Sequence, residues 1–184
     1  MAESAPRRRL VVLDRDGVIN ADSDEYVKSP DEWHPLPGSL EAIARLSRAG
    51  FDVVVATNQS GVGRGLFSLE TLETIHARMR DAVAAAGGRI AAIYYCPHRP
   101  EDGCTCRKPK PGLLRRVETD FGQPLCGVPF VGDKLSDVEA ALAVGARPIF
   151  VGTPRDETER ARLAELGVET HPDLSSAADA LLAR

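Results

Sequence analysis

Two carboxylates, Asp14 and Asp16, close the apolar run Leu10-Val11-Val12-Leu13, and Gly17 follows them. An apolar, β-branched run bounded by charge and glycine predicts a buried strand. Strand side chains repeat with period two, so both carboxylates leave its end on one side. Carboxylates brought that close repel, and each raises the other's pKa unless a cation or a donor neutralises it. Mg²⁺ prefers oxygen ligands and would meet that need. A solvated strand end is the plain alternative for an isolated Asp-x-Asp. Asp133, in Val131-Gly132-Asp133-Lys134, is placed to add a third carboxylate to the same ion. Asp137 is read equally as a carboxylate at a helix start and as a metal ligand.

A second constellation is softer. Cys96, His98, Cys104 and Cys106 put three thiols and one imidazole within eleven residues. That donor set suits tetrahedral Zn²⁺, and four protein ligands leave no open position, so the ion would be structural. A Cys104–Cys106 disulfide would be strained and out of place in a reducing compartment. Cys106 is followed at once by Arg107 and Lys108, so fixing the thiol fixes both cations. The loop 96–109, stiffened by Pro109, is expected to act as an arm carrying positive charge toward the carboxylates. Cys126 stands apart and reads as a small buried hydrophobe.

The run Ala56-Thr57-Asn58-Gln59-Ser60-Gly61-Val62-Gly63-Arg64-Gly65 offers a hydroxyl, two amides and glycines that let backbone approach an oxyanion. A plain polar turn is the competing description. Lys134 is read as a phosphate or substrate contact. His34, His76 and His171 are assigned surface or packing roles.

Elements must bring these groups together. Strands are expected at Leu10–Leu13, Phe51–Ala56, Ile90–Tyr95, Val128–Val131 and Pro148–Val151. Helical patterns cover Ser39–Ala49, Leu69–Ala86 and Pro111–Asp120, then a helix capped by Ser136 with Glu139 and stopped at Gly145, then Glu157–Leu166 and Leu174–Leu182. Strand–helix alternation predicts an α/β, doubly wound parallel sheet with helices on both faces. In such folds ligands sit beyond the carboxyl ends of the strands, where Asp14, Thr57, Cys96 and Asp133 all fall. Two long irregular segments, 20–38 and 96–110, are candidates to close the site.

The totals exclude several classes. The chain has 184 residues, 43% hydrophobic and 27% charged, which suits a single domain over 1–184. Its net charge of −4 argues against a general nucleic-acid or anionic-membrane binder. The apolar runs are too short for a membrane span. Arg7-Arg8-Arg9 has too little apolar sequence after it for a signal peptide. A cytoplasmic monomer is expected.

Asp14-x-Asp16, Thr57, Lys108 and Gly132-Asp133, in that order, resemble the haloacid dehalogenase superfamily. The zinc-bearing, histidinol-phosphatase-like branch is closer still. It is matched by Asp14-Arg15-Asp16-Gly17, Thr57-Asn58-Gln59-Ser60-Gly61, Cys96-Pro97-His98, Cys104-Thr105-Cys106-Arg107-Lys108-Pro109 and Gly132-Asp133-Lys134. The resemblance implies a Rossmann-like fold and a Mg²⁺-dependent phosphatase, and a chain of this size leaves no room for a large cap domain. Asp14 would be the nucleophile and Asp16 the acid and base. Asp14, the Asp16 carbonyl and Asp133 would hold Mg²⁺, while Thr57 and Lys108 would hold the phosphoryl oxygens. Asn58, Gln59, Ser60, Arg107 and Lys134, with Asp22, Ser23, Asp24 and Glu25, would contact the substrate. Within the branch the resemblance, through Gln59-Ser60-Gly61 and Arg64-Gly65, implies a small phosphorylated sugar, a heptose bisphosphate, as substrate. Histidinol phosphate is the alternative substrate, and a nucleic-acid 3′-phosphatase or a zinc-dependent binding module is a different class.

Overall fold

The computed structural model describes residues 8–184, so Arg7 of the basic lead-in lies outside the described residues. Six strands form one parallel sheet in the order β3-β2-β1-β4-β5-β6. They are β1 (Arg9–Leu13), β2 (Phe51–Asn58), β3 (Ile90–Cys96), β4 (Pro129–Gly132), β5 (Arg147–Val151) and β6 (Glu169–His171). The helices are α1 (Ser39–Arg48), α2 (Ser60–Gly63), α3 (Leu69–Ala85), α4 (Gly112–Phe121), α5 (Leu135–Ala143), α6 (Glu157–Glu165) and α7 (Leu174–Leu182). This is the expected doubly wound architecture. The strand order reverses between β1 and β4, and such a switch point opens a crevice at the strands' carboxyl ends.

The period-two pattern of β1 builds both halves of the core. Val11 and Leu13 pack with Ile43, Met79 and Leu174 on one face. Leu10 and Val12 pack with Leu114, Val117, Phe130 and Ala141 on the other. Both faces of β1 are covered, as a central parallel strand requires.

Some boundaries differ from expectation. β2 continues through Thr57 and Asn58, which therefore end the strand rather than follow it. β6 pairs with β5 over three residues only, and Glu169-Thr170-His171 carries no apolar signal. Helix α5 starts at Leu135, two residues before the expected box would have it. Its capping carboxylate is Asp137, which accepts from the Lys134 amide at 3.1 Å, and Glu139 is exposed. Cys126 is exposed, not buried, because Leu125 and Val128 on either side take the core positions of that turn.

The segment 20–38 has little regular structure but is firmly anchored. Trp33 and Val27 are buried in the core under α1 and α3, and a single 3-10 turn spans Pro30–Glu32. Among the described residues no element forms a separate cap, and no helix is long and apolar enough to cross a membrane.

Candidate active site

β1 delivers Asp14 to the switch point, where the Asp14 amide still donates to Val131 of β4 at 2.9 Å. Gly17 turns the chain away at φ +81, and a Cβ there would lie 2.1 Å from the Asp133 carboxylate. Gly132 has the same constraint, because its Cβ would strike the Asp137 side chain at 2.3 Å. Two glycines thus leave room for carboxylates brought in from β4 and α5.

Asp14, Asp133 and Asp137 each offer an oxygen within 4.8 Å of the others. Lys108, 3% exposed, enters this group as its counter-charge. Its Nζ lies 2.9 Å from Asp14 Oδ1 and 2.6 Å from Asp137 Oδ1, and donates to the Ala56 carbonyl at 2.8 Å. Burial disfavours the Lys108 charge, but Asp137 and then Asp14 outweigh it and hold the amine protonated. Asp137, read from the sequence as a helix-start carboxylate or a metal ligand, therefore both caps α5 and pairs with Lys108.

The carboxylates remain under-compensated. Burial, reduced by Lys108 and reinforced by Asp137 and Asp16, raises the Asp14 pKa to about 6. Burial and then Asp14 push Asp133 up to about 7. Asp133 Oδ1 is buried and has no hydrogen-bond partner. An orphaned, buried carboxylate oxygen beside two more carboxylates suits a hard divalent cation such as Mg²⁺.

Asp16 takes a different environment. Its oxygens accept from Arg15 Nη2 at 2.9 and 3.1 Å, Asn20 Nδ2 at 2.9 Å and Gln59 Nε2 at 2.7 Å. Burial alone would raise its pKa, but Arg15 and these hydrogen bonds hold it below the usual carboxylate range. Two carboxylates two residues apart are thus driven in opposite directions by their surroundings.

The cavity above these groups holds about 360 Å³ and is lined by Asp14, Asp16, Thr57, Asn58, Gln59, Ser60, Arg107, Lys108 and Lys134. Asp22, Ser23 and Asp24 form part of its wall with Tyr26, whereas Glu25 is outside the lining. Tyr26, which lines the cavity, has φ +66, a conformation unfavourable by roughly 1 kcal/mol. Lys134 Nζ reaches Asp22 Oδ2 at 2.8 Å, so the β4–α5 turn and the 20–38 segment meet across the mouth. Asn58 is turned to the chain itself. Its carboxamide donates to the Lys108 carbonyl and accepts from the Lys108 amide, both at 3.1 Å.

The cysteine loop adjoins this wall. Cys96 ends β3, and Cys106 Sγ lies 3.2 Å from Cys96 Sγ, 3.6 Å from Cys104 Sγ and 3.3 Å from His98 Nδ1. A tetrahedron with Zn–S bonds of about 2.3 Å has edges of about 3.8 Å, so the four donors stand nearly at zinc-ligand spacing. Lys110 Nζ donates to the Gly103 and Cys104 carbonyls, and Gly112 packs so closely under Thr105 that a Cβ would sit 2.4 Å from its carbonyl oxygen.

Sequence reasoning did not single out two residues of the site. Arg15 is completely buried, although arginine rarely is, and His76 on α3 is buried against it. No local signal marks either, because the contacts that bury them, Arg15 with Gln59 and His76, join residues distant in the chain.

The family described as HAD-hydrolase-like matches residues 105–180. A D-glycero-beta-D-manno-heptose-1,7-bisphosphate 7-phosphatase of Pseudomonas aeruginosa is 53% identical over 95% of this chain and 98% of its own. The chain belongs to the haloacid dehalogenase-like hydrolases. A relative of the same name from Bordetella bronchiseptica is 51% identical over 95% of this chain and 98% of its own. The crystal structure of a D,D-heptose 1,7-bisphosphate phosphatase from B. bronchiseptica, complexed with magnesium and phosphate, superimposes with a TM-score of 0.87. It is 50% identical and covers 95% of this chain and 98% of its own. The corresponding structure from Burkholderia thailandensis gives a TM-score of 0.71 at 42% identity, covering 96% of this chain and 100% of its own.

Proposed function

We propose that this chain is a Mg²⁺-dependent phosphatase that removes the C7 phosphate of D-glycero-D-manno-heptose 1,7-bisphosphate. The reading places it in cytoplasmic synthesis of nucleotide-activated heptose for lipopolysaccharide. The observation that carries it is the buried Asp14–Lys108 pair beside the orphaned Asp133 oxygen, in a chain whose relatives bear that enzyme's name.

Asp14 is the nucleophile: its carboxylate oxygen bonds to phosphorus as the ester P–O bond breaks, giving an aspartyl phosphate. The electron pair of the broken bond stays on the sugar oxygen, which takes a proton from Asp16. Asp16 rests ionised, and approach of a phosphate dianion raises the cost of that charge and drives proton uptake. Asp16 then takes a proton from the water that attacks phosphorus, and the Asp14–phosphorus bond breaks to release inorganic phosphate. Thr57 and Lys108 hold the transferring oxygens.

Asp14, Asp133 and the Asp16 carbonyl would hold Mg²⁺, whose charge offsets the carboxylates and polarises the phosphoryl group. Five carboxylates and three cations line the cavity, so a dianionic ester needs that added charge to enter. Cys96, His98, Cys104 and Cys106 would hold a structural Zn²⁺ that stiffens the arm bearing Arg107 and Lys108. Ser60, Arg107, Lys134 and the Asp22–Asp24 wall are the substrate contacts left available by the geometry.

Phosphate release from the heptose bisphosphate and from histidinol phosphate, with and without Mg²⁺, tests the reading. Magnesium-dependent release from the heptose ester, well above that from histidinol phosphate, is expected. Preference for histidinol phosphate, or equal rates in chelator, would contradict it.

A further inference from the structure

The contacts of Asp16 do not end with its immediate partners. Arg15, besides holding Asp16, donates to Gln59 Oε1 at 3.1 Å and meets His76 Nε2 at 3.4 Å. A fully buried guanidinium leaves water behind and must place its donors on protein groups. His76 is 1% exposed, and its ring packs on Tyr95 with centroids 5.7 Å apart. Burial, with Arg15 and Arg80, pushes its pKa down to about 3, so a neutral ring turns a lone pair toward Arg15.

Gln59 closes the arrangement on the cavity side. Its Nε2 donates to Asp16 Oδ2 at 2.7 Å and to Thr57 Oγ1 at 2.9 Å, which spends both amide protons. A flipped amide would set oxygen against carboxylate and NH₂ against guanidinium, so its neighbours determine its orientation. No donor remains on Gln59 for a substrate.

We infer that Arg15, Gln59 and His76 are positioning residues for the proton-transfer carboxylate. His76 holds Arg15 from α3, and Arg15 with Gln59 aims Asp16 at the oxygen that leaves phosphorus. The inference rests on the acid–base role proposed for Asp16 and goes beyond it. It replaces the substrate contact expected of Gln59 and the packing role expected of His76. Its energetic content is alignment: a reacting group displaced by about 1 Å loses on the order of a hundredfold in rate. The loss is confined to substrates whose leaving oxygen needs a proton as the P–O bond breaks. A nitrophenolate leaves without one.

The test compares kcat/KM, which reports steps through phosphorylation of the enzyme, for the heptose bisphosphate and for 4-nitrophenyl phosphate. The enzymes are the wild type, Asp16→Asn, Gln59→Met, His76→Ala and His76→Gln, each checked for a cooperative thermal transition. Gln59→Met and His76→Ala are expected to lose about tenfold to a hundredfold on the sugar ester. They should stay within about threefold on the aryl ester, and His76→Gln, which restores an acceptor, should recover most of the loss. Gln59→Met carries the same expectation independently of α3 packing, should His76→Ala fail to fold. Equal losses on both esters, or none, in folded Gln59→Met would overturn the inference. If Asp16→Asn itself loses equally on both esters, the acid–base reading of Asp16 fails instead.

Discussion

Lys108 shows how one buried cation decides the behaviour of several neighbours. Taking an ammonium out of water costs several kcal/mol, recovered only through close, well-formed pairs. Asp14 and Asp137 supply them at 2.9 and 2.6 Å. Replacing Asp137 with alanine leaves part of that charge uncompensated and removes the cap of α5. The Asp137→Ala variant should lose about 3 kcal/mol or more of stability, read from the urea midpoint, and a loss under about 1 kcal/mol would contradict the pairing. Asp14→Asn should behave oppositely. Asp137 still pairs Lys108, asparagine keeps an acceptor for it, and a buried charge held unfavourably is removed, so the fold is kept within about 1 kcal/mol while turnover vanishes. Measured phosphate release above a few per cent of wild type would remove Asp14 as nucleophile. Asp14, Asp16 and Asp133 were legible as candidates because they fall together at the carboxyl ends of strands, where one such carboxylate alone would read as a solvated strand end. Arg15 and His76 were not, since nothing local distinguishes a buried arginine from a solvated one until α3 is packed against β1.

At the scale of elements, the cysteine loop and the end of β2 act together on Lys108. Cys106 lies two residues before it, and the Asn58 carboxamide clamps its backbone from the other side. Cys104→Ser should release zinc, measured by metal analysis, and lower kcat about tenfold or more by loosening Arg107 and Lys108. A zinc-free variant with full activity would contradict the arm. The sheet and most helices could be read from hydrophobic periodicity, because a doubly covered parallel sheet writes itself as apolar runs. β6 could not, being a three-residue edge strand, Glu169-Thr170-His171, without an apolar residue. The start of α5 was misread because Ser136 and Glu139 mimic a capping box, whereas the ion pair with Lys108 fixes Asp137 as the capping carboxylate two residues earlier in register.

For the molecule as a whole, the proposed magnesium ion would compete with protons for the same carboxylates. Burial raises Asp14 to about 6 and Asp133 to about 7, from the ordinary 3.8. A carboxylate whose folded pKa is raised favours the ion-free fold at low pH, and that stabilisation is lost as pH climbs from about 4 through 7. Magnesium would replace the protons, so its affinity should rise with pH. A calorimetric Kd at least about tenfold tighter at pH 8 than at pH 6 is expected, with a correspondingly larger magnesium-induced rise in Tm. An affinity flat across that range would contradict the coupling. The switch point between β1 and β4 brings all of these groups from one chain, in a protein whose net charge of −4 otherwise repels phosphate esters.

The central claim is phosphoryl transfer to Asp14. Acid-quenched enzyme, mixed with heptose bisphosphate and Mg²⁺ and mapped by peptide mass spectrometry, tests it most directly. One phosphoryl group on the Asp14 peptide, absent when magnesium is chelated, is the predicted result. Steady turnover with that peptide unmodified, or the adduct on another residue, would contradict the account.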